Sequence, residues 1–178
     1  MQFDPSRDLE FVPLFEYEQG GDEFDCGNQD LNNFILEPDE AGFFEKENLG
    51  RTTLVFLRSR DSGRKLVAYY TISCSQIRFE EMHFLRQRTK ISNFPAIKIG
   101  RLAVIKEFGR FGIGTYCIDN VLLIVNQISK RVGVRYLIVD AYLDLGVTDF
   151  YEHYGFKPAP FTRKGDMTAL LYFDILSV

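Results

Sequence analysis

The chain has 178 residues, which fits a single domain spanning residues 1–178 better than two domains. Hydrophobic residues make up 46% of the sequence, so we expect a sizeable core and exclude a disordered chain. The net charge of −4 is unevenly distributed: residues 1–50 hold 14 acidic and 2 basic residues, a net of −12, whereas residues 51–110 sum to +9. This basic middle third is a candidate surface for an anionic partner.

Patterns along the chain exclude several classes of protein. No apolar run reaches the roughly 18–20 residues of a membrane-spanning helix. The start, "MQFDPSRDLEF", lacks the basic and apolar regions of a signal peptide. The cysteines Cys26, Cys74 and Cys117 fit neither a disulfide framework nor a paired zinc motif. We therefore expect a reduced, cytoplasmic protein without a membrane segment.

The N-terminal part predicts one strand and two helices. The run "FVPLFEY" (11–17) is typical of a strand. Apolar residues then recur at helical spacing in "LNNFI", behind a cap supplied by Asp25 or Asn28. Pro38 is predicted to open a second short helix as its first residue.

A hairpin is the clearest prediction in the next part of the chain. Residues 51–61 and 64–77 are rich in β-branched and aromatic side chains and are joined through "DSG". This pattern indicates two antiparallel strands. The segment 78–94 that follows has a mixed pattern, which leaves helix and irregular loop both open.

The remaining pattern alternates strands and helices. In chain order it predicts a strand at 96–105, a helix at 114–133 ending at Gly133, a strand at 134–143, a short helix within 144–156 with Gly155 just beyond its end, and a strand at 166–176. A hairpin-led sheet that continues through β–α–β crossovers is a mixed α/β (α+β) fold.

The stretch "EFGRFGIGTYCI" (107–118) places Gly109, Gly112 and Gly114 between a predicted strand and a predicted helix. Glycines let a backbone approach an anion closely, and the first turn of a helix offers unpaired N–H groups. The spacing matches neither a Walker loop nor a dinucleotide-binding fingerprint. On spacing alone, an ordinary turn and a phosphate-binding turn both stay open.

Two longer segments carry a family resemblance. "IGRLAVIKEFGRFGIGTYCID" followed by "YLIVDAYLDLGVTDFYEHYGF" resembles the core of the GNAT superfamily of acyl-CoA acyltransferases. Gly112 and Gly114 match the glycines of that family's Gln/Arg-x-x-Gly-x-Gly/Ala turn, while Gly109 stands where Gln or Arg is usual. The ending "DFYEHYGF" matches the family's "FYxxxGF", although Asp144 and Val147 replace its usual Asn and Ala.

An upstream segment narrows the resemblance to one branch. "FDCGNQDLNNFI" is similar to the opening segment of the GNAT toxins of bacterial toxin–antitoxin pairs, and "AYYTIS" and "GRLAV" follow it as they do there. The match spans about residues 11–157. We interpret Cys26 in this segment as packing or turn chemistry, because no histidine partner is evident. The resemblance implies a GNAT-like mixed sheet whose strands splay apart at the cofactor.

The resemblance also implies how acetyl-CoA would be held. The pantetheine arm is expected along the backbone of Leu102–Val104, opposite the "IVDAY" strand, and the pyrophosphate at residues 110–115. The implied cofactor-binding residues are Leu102, Ala103, Val104, Gly109, Arg110, Phe111, Gly112, Ile113, Gly114, Thr115 and Asp144. Tyr151 is implied as the general acid that protonates the CoA thiolate, with Tyr154 as the fallback.

The general base is not identified by the sequence. Asp140 and Glu107 are candidates, and an ordered water or an amine that arrives neutral would serve as well. His83 and His153 have no further metal ligands at suitable spacing, so no metal site is predicted.

The toxin branch implies transfer of the acetyl group to the aminoacyl group of charged tRNA. It also implies a ribbon-helix-helix antitoxin as partner, and it allows a homodimer. RNA phosphates would meet basic side chains of the middle third, namely Arg78, Arg86, Arg88, Lys90, Lys98 and Arg101. Two alternatives stay open: a GNAT enzyme that acetylates a small amine or a protein N-terminus or lysine, and a non-catalytic CoA-binding module.

Overall fold

The fold is taken from a computed structural model that describes residues 5–18, 23–37, 39–59, 63–78, 91–143, 146–159 and 167–177. The described helices are α1 (Pro5–Asp8), α2 (Gln29–Leu36), α3 (Ala41–Lys46), α4 (Ile113–Ser129) and α5 (Val147–Tyr154). The strands are β1 (Leu9–Pro13), β2 (Arg51–Ser59), β3 (Gly63–Arg78), β4 (Asn93–Val104), β5 (Tyr136–Tyr142), β6 (Lys157–Pro158) and β7 (Thr168–Asp174). Short 3₁₀ turns lie at Leu14–Glu16 and Lys106–Phe108.

The strands form a sheet in the order β1-β2-β3-β4-β5-β7-β6. Strands β4 and β5 are parallel, whereas the pairs β1–β2, β2–β3, β5–β7 and β6–β7 are antiparallel. The predicted mixed α/β fold with an antiparallel N-terminal hairpin is therefore confirmed.

The chain divides into two compact units. One consists of Met1–Ser73 with Arg101–Val121, and the other of Cys74–Gly100 with Leu122–Val178. Strands β3 and β4 and helix α4 contribute residues to both. The single domain expected from chain length stays a prediction.

The first unit is organised by the β2–β3 hairpin, in which Arg51 pairs with Ile72 and Ser59 with Gly63. Large rings fill its core, and Phe56 and Tyr69 are both fully buried. Burial of such a side chain contributes about 2–3 kcal/mol to folding. The phenol of Tyr69 donates to a backbone carbonyl of α2 at 2.6 Å, so its polar end is also satisfied.

Helix and strand ends in this unit follow local chemistry. Asn28 caps α2 as predicted, since its side chain accepts the N–H of Leu31 at 3.2 Å. Strand β1 ends at Pro13 rather than at residue 17, because proline has no N–H to continue the ladder. Pro38, predicted as a helix start, lies outside the described residues, and α3 begins at Ala41.

The second unit has its own apolar cluster on the β4–β5–β7 part of the sheet. Its buried members are Ile77, Phe94, Ala96, Tyr136, Ile138, Ala159 and Tyr172. Helix α4 ends at Ser129, earlier than the predicted Gly133. The helix closes there because the N–H groups of Arg131 and Val132 both donate to the same carbonyl, that of Ile128. Gly155 closes α5 as predicted, with a φ of 116°.

Three further points concern predicted features. Residues 79–90, most of the unassigned segment, lie outside the described residues. The two-residue strand β6 was not predicted, because two residues carry no periodicity. Within the described part of the chain, no helix combines the length and the apolar character needed to cross a bilayer.

Candidate functional site

The glycine-rich stretch forms the connection between β4 and α4. After Val104 the chain makes the 3₁₀ turn at Lys106–Phe108 and then takes positive φ angles at Arg110 (70°) and Gly112 (80°). This conformation is easy for glycine, whereas at Arg110 it costs about 1–2 kcal/mol. Strained residues of this kind cluster at binding sites.

Helix α4 begins with an open first turn. Gly112 precedes the helix, and its carbonyl accepts the N–H of Tyr116 at 3.3 Å. The N–H groups of Ile113, Gly114 and Thr115 belong to the first turn and so have no acceptor within the helix. These donors and the positive end of the helix dipole together suit a phosphate group.

The start of the turn is held by hydrogen bonds within the first unit. The N–H of Ile105 donates to the carbonyl of Val67 at 2.9 Å, and that of Lys106 to the carbonyl of Asp25 at 3.0 Å. The N–H of Gly109 donates to the carbonyl of Lys106 at 3.1 Å. The N–H groups of Ile105, Lys106 and Gly109 are therefore engaged within the protein, in contrast to the first-turn donors of α4.

Two ion pairs lie at this turn. Lys106 Nζ is 3.0 Å from Asp25 Oδ2, and Lys65 pairs with Glu107, one of the predicted candidates for the base. The Lys106 ammonium, together with nearby N–H donors, lowers the pKa of the Asp25 carboxyl below its ordinary value. The side chain of Arg110 is exposed and carries a positive charge three residues before the first of these donors, Ile113.

The predicted pantetheine strand is the end of β4. Ala103 is buried, and Leu102 and Val104 are half-buried. Parallel pairing with β5 is recorded for Ala96–Ile99, so these three residues lie beyond the paired region and lead into the turn. The structure thus joins the predicted backbone contacts and the phosphate turn in one continuous segment.

Tyr151 lies on α5 in the second unit. It is 4% exposed, and its ring contacts Phe150 and Phe156 at centroid distances of 5.0 and 5.2 Å. Its carbonyl accepts the N–H groups of Gly155 and Phe156 at the end of the helix. Tyr154 is less buried and packs on Phe156 and Phe173. The helix end therefore fixes the position of Tyr151 along α5.

The other titratable candidates have local partners. Asp140 Oδ2 lies 2.5 Å from Lys98 Nζ on the neighbouring strand. The His153 ring nitrogen Nδ1 lies 2.6 Å from the carbonyl oxygen of Asp149, one helical turn earlier. Among the described residues, no three His, Cys, Asp or Glu side chains are grouped as metal ligands would be.

Among the basic residues predicted to meet RNA, Arg101 contacts two aromatic rings. Its guanidinium carbon lies 3.6 Å from the ring centroid of Phe34 and 4.9 Å from that of Phe44. Arg78 is exposed at the end of β3. The remaining predicted positions fall outside the described residues, namely His83, Arg86, Arg88, Lys90 and Asp144.

Sequence reasoning missed the contact between Asp25 and Lys106. These residues are 81 positions apart, and each by itself is an ordinary surface residue of its type. The sequence signal available for this contact is the "FDCG" motif. The motif resembles a segment of one family branch, but it does not indicate which part of the chain this segment contacts.

Comparison with solved structures identifies the fold, although no family model matches the chain. A tyrosine-to-phenylalanine mutant of KacT superposes with a TM-score of 0.77 and 25% identity, over 96% of this chain and 97% of that one. AtaT complexed with acetyl-methionyl-tRNAfMet gives 0.76 and 22% over 96% of both chains. AtaTR bound with AcCoA gives 0.74 and 25%, over 96% and 95%.

The chain has the fold of the GNAT toxins. The resemblance predicted from its motifs is thereby confirmed. AtaT, as a tyrosine-to-phenylalanine mutant toxin, has also been solved with acetyl-CoA and the C-terminus of the antitoxin AtaR.

Proposed function

We propose that this protein is an acetyl-CoA-dependent N-acetyltransferase. The observation that carries the proposal is the turn at residues 106–112, which follows β4 and leads into the first turn of α4, whose N–H groups have no acceptor within the helix. A pyrophosphate suits this turn because its oxygens accept several backbone N–H donors at once. AtaTR, which has the same fold, has been solved with AcCoA bound.

In the proposed reaction a neutral amine attacks the thioester carbonyl directly, the C–S bond breaks and the acetyl group moves to nitrogen, which gives up one proton to water. Backbone groups of residues 110–115 hold the pyrophosphate, and the edge of Leu102–Val104 pairs with the pantetheine amides. The departing thiolate takes a proton, for which we propose the phenol of Tyr151. Tyrosine-to-phenylalanine forms of both KacT and AtaT have been solved, which supports a tyrosine in this role.

We further propose the aminoacyl group of a charged tRNA as the acceptor. AtaT has been solved with acetyl-methionyl-tRNAfMet, the product expected of such a transfer. In this chain, residues 51–110 carry a net charge of +9, which suits a polyanionic acceptor. By the same likeness, we propose an antitoxin as the protein partner.

An acceptor comparison tests the proposal. The purified chain is incubated with acetyl-CoA and either aminoacyl-tRNA, uncharged tRNA, a lysine-containing peptide or a simple amine, and release of free CoA is followed. Of these acceptors, we expect only aminoacyl-tRNA to cause rapid release of CoA. Release with the peptide or simple amine instead would assign a different acceptor. If the chain bound acetyl-CoA but none of the acceptors caused release of CoA, this would indicate a non-catalytic CoA-binding module.

A further inference from the structure

We propose that the segment Asp25–Gly27 and the side chain of Asn32, together called the FDCG clamp, position the phosphate-binding turn. The inference rests on the proposed function, because it assigns the clamp a role in binding acetyl-CoA. It accounts for the "FDCG" motif, to which the proposed chemistry gives no task. The clamp residues position the turn and do not touch the reacting atoms.

The clamp is first locked onto helix α2. The side-chain oxygen of Asn32 accepts the N–H of Cys26 at 2.9 Å and lies 3.1 Å from its Sγ. The Asn32 amide nitrogen donates to Asp25 Oδ1 at 3.1 Å, and the N–H of Gly27 donates to the same oxygen at 2.9 Å. Asn32 is 8% exposed, so the Asn32 end of this network is shielded from bulk water, whereas Asp25 and Gly27 are exposed.

The clamp then holds Lys106, the first residue of the turn, in three ways. The Lys106 N–H donates to the carbonyl of Asp25 at 3.0 Å, and Nζ lies 3.0 Å from Asp25 Oδ2. The Lys106 side chain also crosses directly over Gly27, where an added Cβ would lie 2.7 Å from Lys106 Cε. Gly27 has a φ of 90°, so glycine is favoured there by conformation as well as by space.

The backbone bond and the close packing are more important here than the ion pair. Both side chains of the pair are more than half exposed, at 63% and 62%, and ion pairs of that exposure contribute little. By contrast, the Lys106 N–H bond anchors the first residue of the turn to the clamp, seven residues before α4 begins at Ile113. Displacing Lys106 should therefore disturb acetyl-CoA binding more than global stability.

Gly27→Ala tests the clamp, because a residue with a Cβ is strained at a φ of 90° and its methyl group would displace the end of the Lys106 side chain, so the backbone next to the Asp25 carbonyl is disturbed. The matched control is Gly63→Ala, which has a similar φ of 76° but no atom of the described residues within 4 Å of the new Cβ. We expect Gly27→Ala to raise the Kd and KM for acetyl-CoA about tenfold, a loss of ~1.4 kcal/mol, with kcat within about twofold. Gly63→Ala should leave the KM for acetyl-CoA unchanged, while it lowers Tm by about as much as Gly27→Ala does.

A second variant separates collision with Lys106 from general strain. In Gly27→Ala/Lys106→Ala the long side chain is gone, so KM should return most of the way to that of Lys106→Ala alone. Equal KM values for Gly27→Ala and Gly63→Ala, or no recovery in the double variant, would overturn the clamp. Failure of the unmodified chain to bind acetyl-CoA at all would instead overturn the proposed function, and the clamp's role with it.

Discussion

The guanidinium of Arg101 lies over the aromatic rings of two helices, with its central carbon 3.6 Å from the centroid of Phe34 on α2 and 4.9 Å from that of Phe44 on α3. Phe34 and Phe44 themselves meet edge to face at a centroid distance of 5.4 Å. Arg101 lies on β4, one residue before the segment proposed to hold pantetheine. It therefore has a structural role in the first unit, whether or not it also meets RNA.

Arg101→Lys separates these two roles, since it keeps the charge and removes the planar guanidinium. We expect the free energy of unfolding to fall by about 0.5–2 kcal/mol, measured by urea denaturation. The control is Arg58→Lys, because Arg58 is 65% exposed and pairs with Glu10 at the surface; there we expect a change within about 0.5 kcal/mol. Equal effects of the two changes would show that the contact with the rings contributes nothing.

Gly112→Ala tests the turn itself. Gly112 has a φ of 80°, and no atom in the described part of the chain lies within 4 Å of an added methyl group, so the change strains the backbone without a collision there. Because Gly112 leads into the open donors of α4, we expect acetyl-CoA to bind about tenfold more weakly by calorimetry, a loss of ~1.4 kcal/mol. Gly63→Ala, with comparable strain elsewhere, should bind acetyl-CoA normally, and a similar loss there would refute the assignment of the turn.

Tyr151→Phe tests the proposed general acid. The ring packs between Phe150 and Phe156, and phenylalanine preserves that packing. We expect kcat to fall about 10²–10⁴-fold while the Kd for acetyl-CoA changes little. If the protein is a toxin, expressing it alone should arrest bacterial growth and this variant should relieve the arrest. A parallel loss of binding and turnover would instead give Tyr151 a structural role.

Stability should fall at alkaline pH because of buried Tyr70. Burial raises the pKa of Tyr70 to about 12, and its phenol donates to Asn120 at 2.5 Å. Since the unfolded tyrosine ionises near pH 10, the stabilisation is complete below about pH 10 and is lost as the pH rises to about 12. The integrated loss is roughly 2–3 kcal/mol.

Urea unfolding at pH 9 and pH 11 measures this effect. The free energy of unfolding should decrease more between these values in the unmodified chain than in Tyr70→Phe, which has no group to ionise at this position. If the free energy of unfolding changed equally with pH in the two proteins, this would contradict a raised pKa for Tyr70.

Sequence patterns predicted the features that depend on neighbouring residues. The cap at Asn28, the hairpin, and the glycine at the end of α5 all follow from chemistry within a few positions. The turn after β4 was also located by its glycines, but the positive φ at Arg110 was not foreseen, because arginine does not favour it.

Contacts between distant parts of the chain were not predictable in the same way. The bond between Lys106 and Asp25, and the contact of Arg101 with Phe34, depend on which surfaces the fold brings together. The charge of Arg101 suggests a contact with RNA, since a single sequence gives no sign of the rings beneath it. The end of α4 at Ser129 is similarly set by a turn that the apolar periodicity does not show.

Arg110 combines two properties that favour different residues. Its backbone conformation would be more stable by about 1–2 kcal/mol with glycine, yet glycine would remove the exposed cation three residues before the open donors of α4. Lysine would keep the charge and the strain alike. Thermal stability and anion attraction at this position therefore change in opposite directions, and engineering the protein for greater stability would weaken its electrostatic attraction for a phosphate-bearing ligand.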